Sequence, residues 1–406
     1  MSTAVPPQLP PVLAPASERL PGIDGVRGLA LLGIALMNIE AFNGPLWLSG
    51  AGVDPRWSGL DRWLDAAIYV VVQGSFFPLF SLLFGIGFGL MGQRAEARGV
   101  RFAPLHLRRM GWLAVIGLLH GLLLWSGDVL LTYALLGLLL PALMVLAPRW
   151  QTLVGALGIA CSAALMLAMA GFFAVLAAAP DNPMQTALAQ VQQEVQAQAA
   201  VYGQGSYLQA VGQRLKDMGT GVQSVFLMGG QILGLFLIGS ALVRSGALGE
   251  RQRHARLWAL LRWVAWPLGL ALSLATLAIS PFNPPWSAEP AAMLVQAIKV
   301  VAGSLIGLGW LAWGLQLQRL LRVLAPAGQM SLTTYLGQSL IGTLCFYGYG
   351  LGWFGSFSRS QEVGFVLVMF TVQVLFARLW LAAFRQGPVE WLWRTATYGH
   401  AVPLRR

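Results

Sequence analysis

His120 and Asp128 stand eight residues apart, on either side of the short turn that joins two apolar runs, GLLHGLLLW and DVLLTYALLG. A connection this short leaves only an antiparallel hairpin, so the imidazole and the carboxylate share one level. An imidazole held there is suited to general base catalysis, with the carboxylate orienting it. Plainer readings stand beside this one: Asp128 caps the second helix, and His120 makes an interhelical hydrogen bond. Asn38 lies four residues from the end of the first long apolar run, at a similar depth. Its amide could stabilise an oxyanion. Glu40 and Tyr133 fall in the same layer.

A second group of polar residues lies at the opposite ends of these helices. Asp24 and Arg27, in IDGVRGLALLGIALMNI, are spaced i,i+3 and can form an ion pair. Arg108 and Arg109 sit at the same level. Together the four could grip a phosphorylated donor; taken alone, Arg108 and Arg109 also fit ordinary anchoring by positive charge at the inner membrane face. Gln73 precedes Pro78, whose missing N–H predicts a bend in the second apolar run. Lys299 is buried in an apolar run, which marks it as a functional candidate, with snorkelling as the alternative. Gln338 belongs to the polar stretch MSLTTYLGQS. Gln73, Lys299, Gln338, Glu40 and Tyr133 are candidates for a substrate path; polar contacts between helices are the competing explanation.

The elements that must position these residues are membrane helices. The chain has 406 residues, 57% hydrophobic and 10% charged. A soluble domain carries about 25% charge. An all-α polytopic membrane protein follows, with ten apolar segments at 24–42, 64–91, 110–125, 128–147, 152–179, 222–243, 258–280, 291–315, 330–352 and 362–384. Arginines cluster in alternate connections, which places both termini in the cytoplasm. Residues 1–21 read as a disordered cytoplasmic tail rather than a signal peptide. The rest divides into a helical half at 22–180, an outer amphipathic segment at 181–221, and a second helical half at 222–400.

The net charge of +11 does not indicate nucleic-acid binding, because the basic residues sit at helix ends without interleaved aromatics. Cys161 and Cys345 lie in apolar runs, and the four histidines lack metal-ligand spacing, so neither a disulfide framework nor a metal site is expected. The glycines at 85, 87 and 89 suit close helix packing better than a nucleotide loop.

Four motifs resemble the YeiB family, also labelled domain of unknown function 418: IDGVRGLALLGIALMNI at 23–39, FSLLFGIGFGL at 80–90, GLLHGLLLWSGDVLLTYALLG at 117–137, and the pair GQMSLTTYLGQSLIGTLCFYGYGLG and FRQGPVEWLWRTATYG. The family pattern has Arg at position 329 and Asn at position 334, where this chain has Gln329 and Thr334. The first motif and DPRWSGLDRWLDA also resemble, more distantly, the heparan-glucosaminide acetyltransferase group. That resemblance implies transfer of an acyl group from cytosolic acyl-CoA to an acceptor across the membrane, and Asn38 falls on that group's active-site Asn. The group's catalytic His would fall near Asp54, so His120 would serve as base from another helix.

The sequence therefore predicts a bacterial cytoplasmic-membrane acyltransferase with acyl-CoA as co-substrate and no resident cofactor. The expected acceptor is a small molecule, envelope glycan or lipid. A transporter of a small amphipathic metabolite is the alternative.

Overall fold

A computed structural model describes residues 21–177, 183–284, 286 and 289–406. The tail expected at 1–21 lies almost wholly outside the described residues, as does the expected boundary at 180–181. The described chain is helical, and no extended strand occurs in it. The first half contains α1 Pro21–Asn43, α2 Gly59–Val71, α3 Phe76–Ala97, α4 Phe102–Leu123, α5 Leu130–Gly137, α6 Leu140–Leu143 and α7 Pro148–Ala177. After α8 Pro183–Gln204 come α9 Tyr207–Arg244, α10 Ala255–Leu260, α11 Trp266–Ile279 and α12 Pro290–Gln316. The chain closes with α13 Ala325–Gln329, α14 Ser331–Phe346, α15 Arg359–Ala383 and α16 Pro388–Tyr398.

Seven of the described helical stretches are long and apolar enough to cross a bilayer. They are α1, the α2–α3 stretch, α7, the C-terminal part of α9, the α10–α11 stretch, α12 and α15. A helix satisfies its own backbone, which is what hydrocarbon demands. The other three expected spans differ for local reasons. The arginines and histidines of α4 dilute its apolarity. The run at 128–147 is broken into α5 and α6, with Pro141 at the start of the second piece. The run at 330–352 yields only the 16 residues of α14.

The bend expected at Pro78 lies a few residues earlier. Gly74 adopts a φ of +75°, a conformation that favours glycine. The Ser75 hydroxyl donates to the Val71 and Val72 carbonyls at 2.9 and 2.8 Å, satisfying groups that the break releases. Pro78 instead occupies the first turn of α3, where a missing N–H costs nothing.

The amphipathic segment expected at 181–221 is also divided. A capping box at Ser206 and Gln209 starts a new helix, and α9 then continues for 38 residues into the membrane-spanning part. Its first turns seal the α4–α5 connection. Arg214 donates to the Leu123 carbonyl at 2.9 Å, and Ser126 donates to Asp217 at 3.1 Å.

The motif on α1 has a packing role as well as a chemical one. A Cβ on Gly25 would lie 2.9 Å from the Leu321 carbonyl oxygen, and one on Gly28 would collide with that of Leu324. From the other side, a Cβ on Gly328 would collide with the Asp24 carbonyl. The N-terminal end of α1 and the segment 321–329 therefore meet backbone to backbone. Gly328→Ala is expected to lower stability by about 1–3 kcal/mol, the usual cost of overpacking. Unfolding in detergent measures it, and a variant as stable as the parent would show that the contact is looser than described.

Candidate functional site

A cavity of about 350 Å³ runs between α1, α3, α4, α5, α14 and α16. That is within the range of small-molecule sites. Its wall follows α1 from Asp24 and Arg27 to Asn38. The separation of Asp24 and Asn38 along the helix is about 21 Å at 1.5 Å per residue.

One face of α3 supplies the apolar lining. Phe77, Phe80, Phe84 and Phe88 recur at three- and four-residue intervals and therefore share a face, and all four line the cavity. An adjoining face packs on α9, where a Cβ on Gly85 would collide with the Phe236 carbonyl, and Phe84 itself stacks on the Phe236 ring with centres 4.5 Å apart. Gly87 faces the cavity, 3.6 Å from the Arg27 guanidinium measured from its ideal Cβ. The expectation of close packing thus holds for Gly85, while Gly87 leaves room beside Arg27.

The end near Asp24 is strongly basic. Arg27, Arg94, Arg109, Arg385 and Arg394 line it, with Asp24 and Glu390 as the lining carboxylates. Both carboxylates are engaged. Asp24 accepts from Arg27 at 3.0 Å, as the i,i+3 spacing predicted. Glu390 reaches from α16 to the start of α14, accepting from the Leu332 and Thr333 N–H groups at 2.7 and 3.1 Å and from the Thr333 hydroxyl at 2.6 Å. It does the work of an N-cap from a different element. Glu390→Ala is expected to cost about 2 kcal/mol by leaving those donors unpaired. A thermal unfolding comparison checks this, and an unchanged midpoint would contradict the role.

The Arg109 guanidinium lies over the Trp393 ring, 4.1 Å from its centre, while the Trp393 indole N–H donates to the Arg109 carbonyl at 3.0 Å. Burial raises Tyr398 above the ordinary phenol value, so it meets the cavity as a neutral hydroxyl. His106 also lines this region; its Nε2 contacts the Gly137 carbonyl at 2.9 Å, and its Nδ1 is buried without a partner.

At the far end, His120 and Asp128 pair as the hairpin predicted. Nδ1 of His120 lies 2.8 Å from Oδ1 of Asp128, and both side chains are buried. With the proton on Nδ1, the imidazole donates to Asp128 and keeps an Nε2 lone pair. Nε2 is buried without a partner. Oδ2 of Asp128 also accepts from the Leu131 N–H at 2.7 Å, so the carboxylate both caps and orients.

The dyad stands one layer behind the cavity. Tyr335 touches both: its ring lies 5.2 Å from that of His120, and it lines the cavity with its hydroxyl buried and unpartnered. Tyr133 lines the cavity too, bonded to Ser81 at 2.6 Å and to the Phe77 carbonyl at 3.0 Å.

Other sequence candidates lie away from the cavity. Arg108 is exposed and points toward Gly399. Lys299 donates to the Tyr69 carbonyl at 2.7 Å and the Ser273 hydroxyl at 2.9 Å. Gln338 reaches the Leu31 carbonyl and Gln373 at 3.3 and 3.4 Å. Gln73 is buried at the turn beside Gly50. Asp54 binds Arg56 at 2.7 Å; burial pushes its carboxyl upward, and the hydrogen bonds from Arg56 outweigh that and hold it below its ordinary value.

Glu40 belongs to a separate cluster around Arg359, whose guanidinium is buried and contacts Glu40, Asp65 at 3.0 Å and Glu362 at 2.6 Å. Sequence reasoning missed this cluster, together with Arg94, Arg385, Arg394, Trp393 and Tyr335 as cavity residues. The three- and four-residue spacing of the phenylalanines on α3 is a signal in the sequence from which the apolar lining could have been read.

Fold and cavity define a multi-pass α-helical membrane protein with an internal amphipathic site. The chain belongs to the YeiB family. A family profile described as "Protein of unknown function (DUF418)" matches residues 242–400. The protein is 35% identical to "Uncharacterized protein YeiB" of Escherichia coli, over 95% of this chain and 98% of that one. It is 31% identical to "Uncharacterized protein YxaH" of Bacillus subtilis, over 96% and 97% of the two chains. A third relative, "Uncharacterized 39.9 kDa protein in amylase 3'region" of Bacillus acidopullulyticus, is 26% identical over 95% of this chain and 96% of its own. No solved structure matches.

Proposed function

We propose that the protein is a transmembrane acyltransferase of the bacterial cytoplasmic membrane, with ten membrane passages and both termini inside. An acyl thioester of coenzyme A enters at the Asp24 and Arg27 end and lays its pantetheine arm along the phenylalanine face of α3, which carries the thioester and its acyl group to the Asn38 end. The acceptor is a hydroxyl or amine reaching the Asn38 end from the outer side. The observation that carries this reading is the cavity itself, basic at one end, aromatic along its length, and backed at the other end by an oriented imidazole with a free ring nitrogen. The distant resemblance of the α1 motif to an acetyltransferase group supports the same chemistry.

In the reaction the acceptor oxygen or nitrogen bonds to the thioester carbonyl carbon, and its proton passes to Nε2 of His120 through the Tyr335 hydroxyl. The Asn38 amide donates to the carbonyl oxygen as charge develops there. The C–S bond then breaks, and the departing thiolate recovers the proton.

The transporter alternative drew on Lys299, the polar run now seen as α14, and the bent α2–α3 stretch; Lys299 and Gln338 do not line the cavity, while Ser331, Tyr335 and the α3 phenylalanines do, so the cavity carries only part of that path. Proteoliposomes given acyl-labelled coenzyme A on one side and candidate acceptors on the other test the proposal. Covalent label on an acceptor is the expected result. Movement of an unmodified solute without covalent transfer would overturn it.

A further inference from the structure

We infer that His106 and Ser331 are specificity-determining residues. They hydrogen-bond the arm of the ligand, so the cavity takes a chain bearing amide and hydroxyl groups, as the pantetheine arm does, over a plain alkyl chain. This rests on the acyl-transfer reading and adds to it how a thioester donor is told apart from a lipid tail.

The lining has two kinds of wall. Phe77, Phe80, Phe84 and Phe88 form the apolar one on α3, while His106 enters from α4 and Ser331 from α14. An alkyl chain has use only for the first.

His106 supplies an acceptor. Its Nε2 lies 2.9 Å from the Gly137 carbonyl. A carbonyl oxygen can only accept, so the proton sits on Nε2 and Nδ1 carries a lone pair. His106 precedes the long apolar run of α4, and burial together with the nearby Arg109 keeps its imidazole neutral. Nδ1 is buried and has no partner. Buried acceptors are in the great majority answered. The residue lines a cavity, and a ligand N–H or O–H there completes the set.

Ser331 supplies a hydroxyl. It opens α14, whose first turn is fixed by Glu390 through the Leu332 and Thr333 N–H groups. Ser331 lines the cavity, and its hydroxyl makes no hydrogen bond among the described residues. Tyr335 follows one turn later on the same face, so the α14 wall is polar over about 6 Å at 1.5 Å per residue.

The position suits recognition rather than chemistry. The His106 ring meets that of Phe88 with centres 4.7 Å apart, and the neighbouring Gly87 faces Arg27. From Phe88 to Phe77 the phenylalanine face runs about 16 Å. An arm entering beside Arg27 therefore passes His106 before its thioester reaches Asn38.

Purified protein in neutral detergent is titrated with the acetyl thioester of phosphopantetheine and with decyl phosphate, which keeps the phosphate and replaces the arm by an alkyl chain. Ser331→Ala and His106→Phe are each expected to weaken the thioester by about three- to tenfold, as the loss of a neutral hydrogen bond implies. Decyl phosphate should bind the parent and both variants alike. Ser331→Thr, which keeps a hydroxyl, should bind the thioester like the parent. His106→Phe also loses the bond to Gly137; where it fails to fold, the two Ser331 variants carry the test.

A folded Ser331→Ala or His106→Phe protein that binds the thioester like the parent, a loss shared by decyl phosphate, or a parent that does not bind the thioester would overturn the proposal. Labelled acyl transfer from acetyl-CoA, run alongside, separates it from the reading beneath it. Transfer by the parent with an unchanged KM for acetyl-CoA in the variants overturns the role of these two residues and leaves acyl transfer standing. Selective weakening of the thioester without transfer by the parent upholds recognition of the arm and removes acyl transfer.

Discussion

His120→Gln is expected to lower acyl transfer by about a hundred- to ten-thousand-fold, the usual contribution of a positioned general base, while leaving the unfolding midpoint nearly unchanged. The reasoning lies in how the dyad is held. Asp128 retains its bond from the Leu131 N–H when the imidazole is removed, so the start of α5 keeps its cap. The side chain lost is one whose Nε2 makes no structural hydrogen bond. Asp128→Ala should behave differently, losing activity and also about 1 kcal/mol of stability through the missing cap. Initial rates in proteoliposomes and unfolding in detergent separate the two effects. A His120→Gln protein that transfers at the parent rate would remove the imidazole from the chemistry.

The second large effect concerns stability. Arg359→Met is expected to destabilise the protein by about 3–5 kcal/mol, the cost of stripping a buried charge network of its central partner. Glu40 from α1, Asp65 from α2 and Glu362 from α15 converge on this guanidinium. Asn43 adds a hydrogen bond to Glu362 at 2.7 Å. Without the arginine, three carboxylates would face one another in a desolvated site. Adding Glu362→Gln and Glu40→Gln to the variant should restore part of the loss, because the repelling charges are then gone. Chemical denaturation of the two proteins measures the difference. A loss below about 1 kcal/mol would mean that the cluster is hydrated and contributes no more than a surface pair.

Local features of the site were legible in the sequence; distant pairings were not. The His120–Asp128 contact followed from a turn too short to permit anything else, and the Asp24–Arg27 pair followed from helical spacing. Asn38, Asp24, Arg27, Arg109 and Tyr133 do line one cavity. Pro78 misled the placement of the bend, because a proline in the first turn of a helix is as favourable as one at a kink is disruptive. Gly74, which carries the positive φ, was the better marker.

Residues read only as loop charges proved different in kind. Arg359 is buried with partners on two other helices, and Arg394 meets Arg109 across 285 positions of sequence. Nothing in the period or composition of either segment encodes such a partner. Lys299 shows the converse. An amine in an apolar run invited a functional role, yet a carbonyl and a hydroxyl satisfy it away from the cavity.

The central claim is that an acyl chain occupies the cavity between α1, α3 and α4. Photolabelling with a coenzyme A thioester carrying a diazirine in its acyl chain tests it most directly. The account predicts label on the α3 peptide containing Phe77 to Phe88 and on the α4 peptide containing Met110 and Leu113, abolished by excess unlabelled thioester. Label confined to the exposed apolar face of α7, at residues such as Leu153, Leu157 and Phe172, and insensitive to competitor, would contradict it.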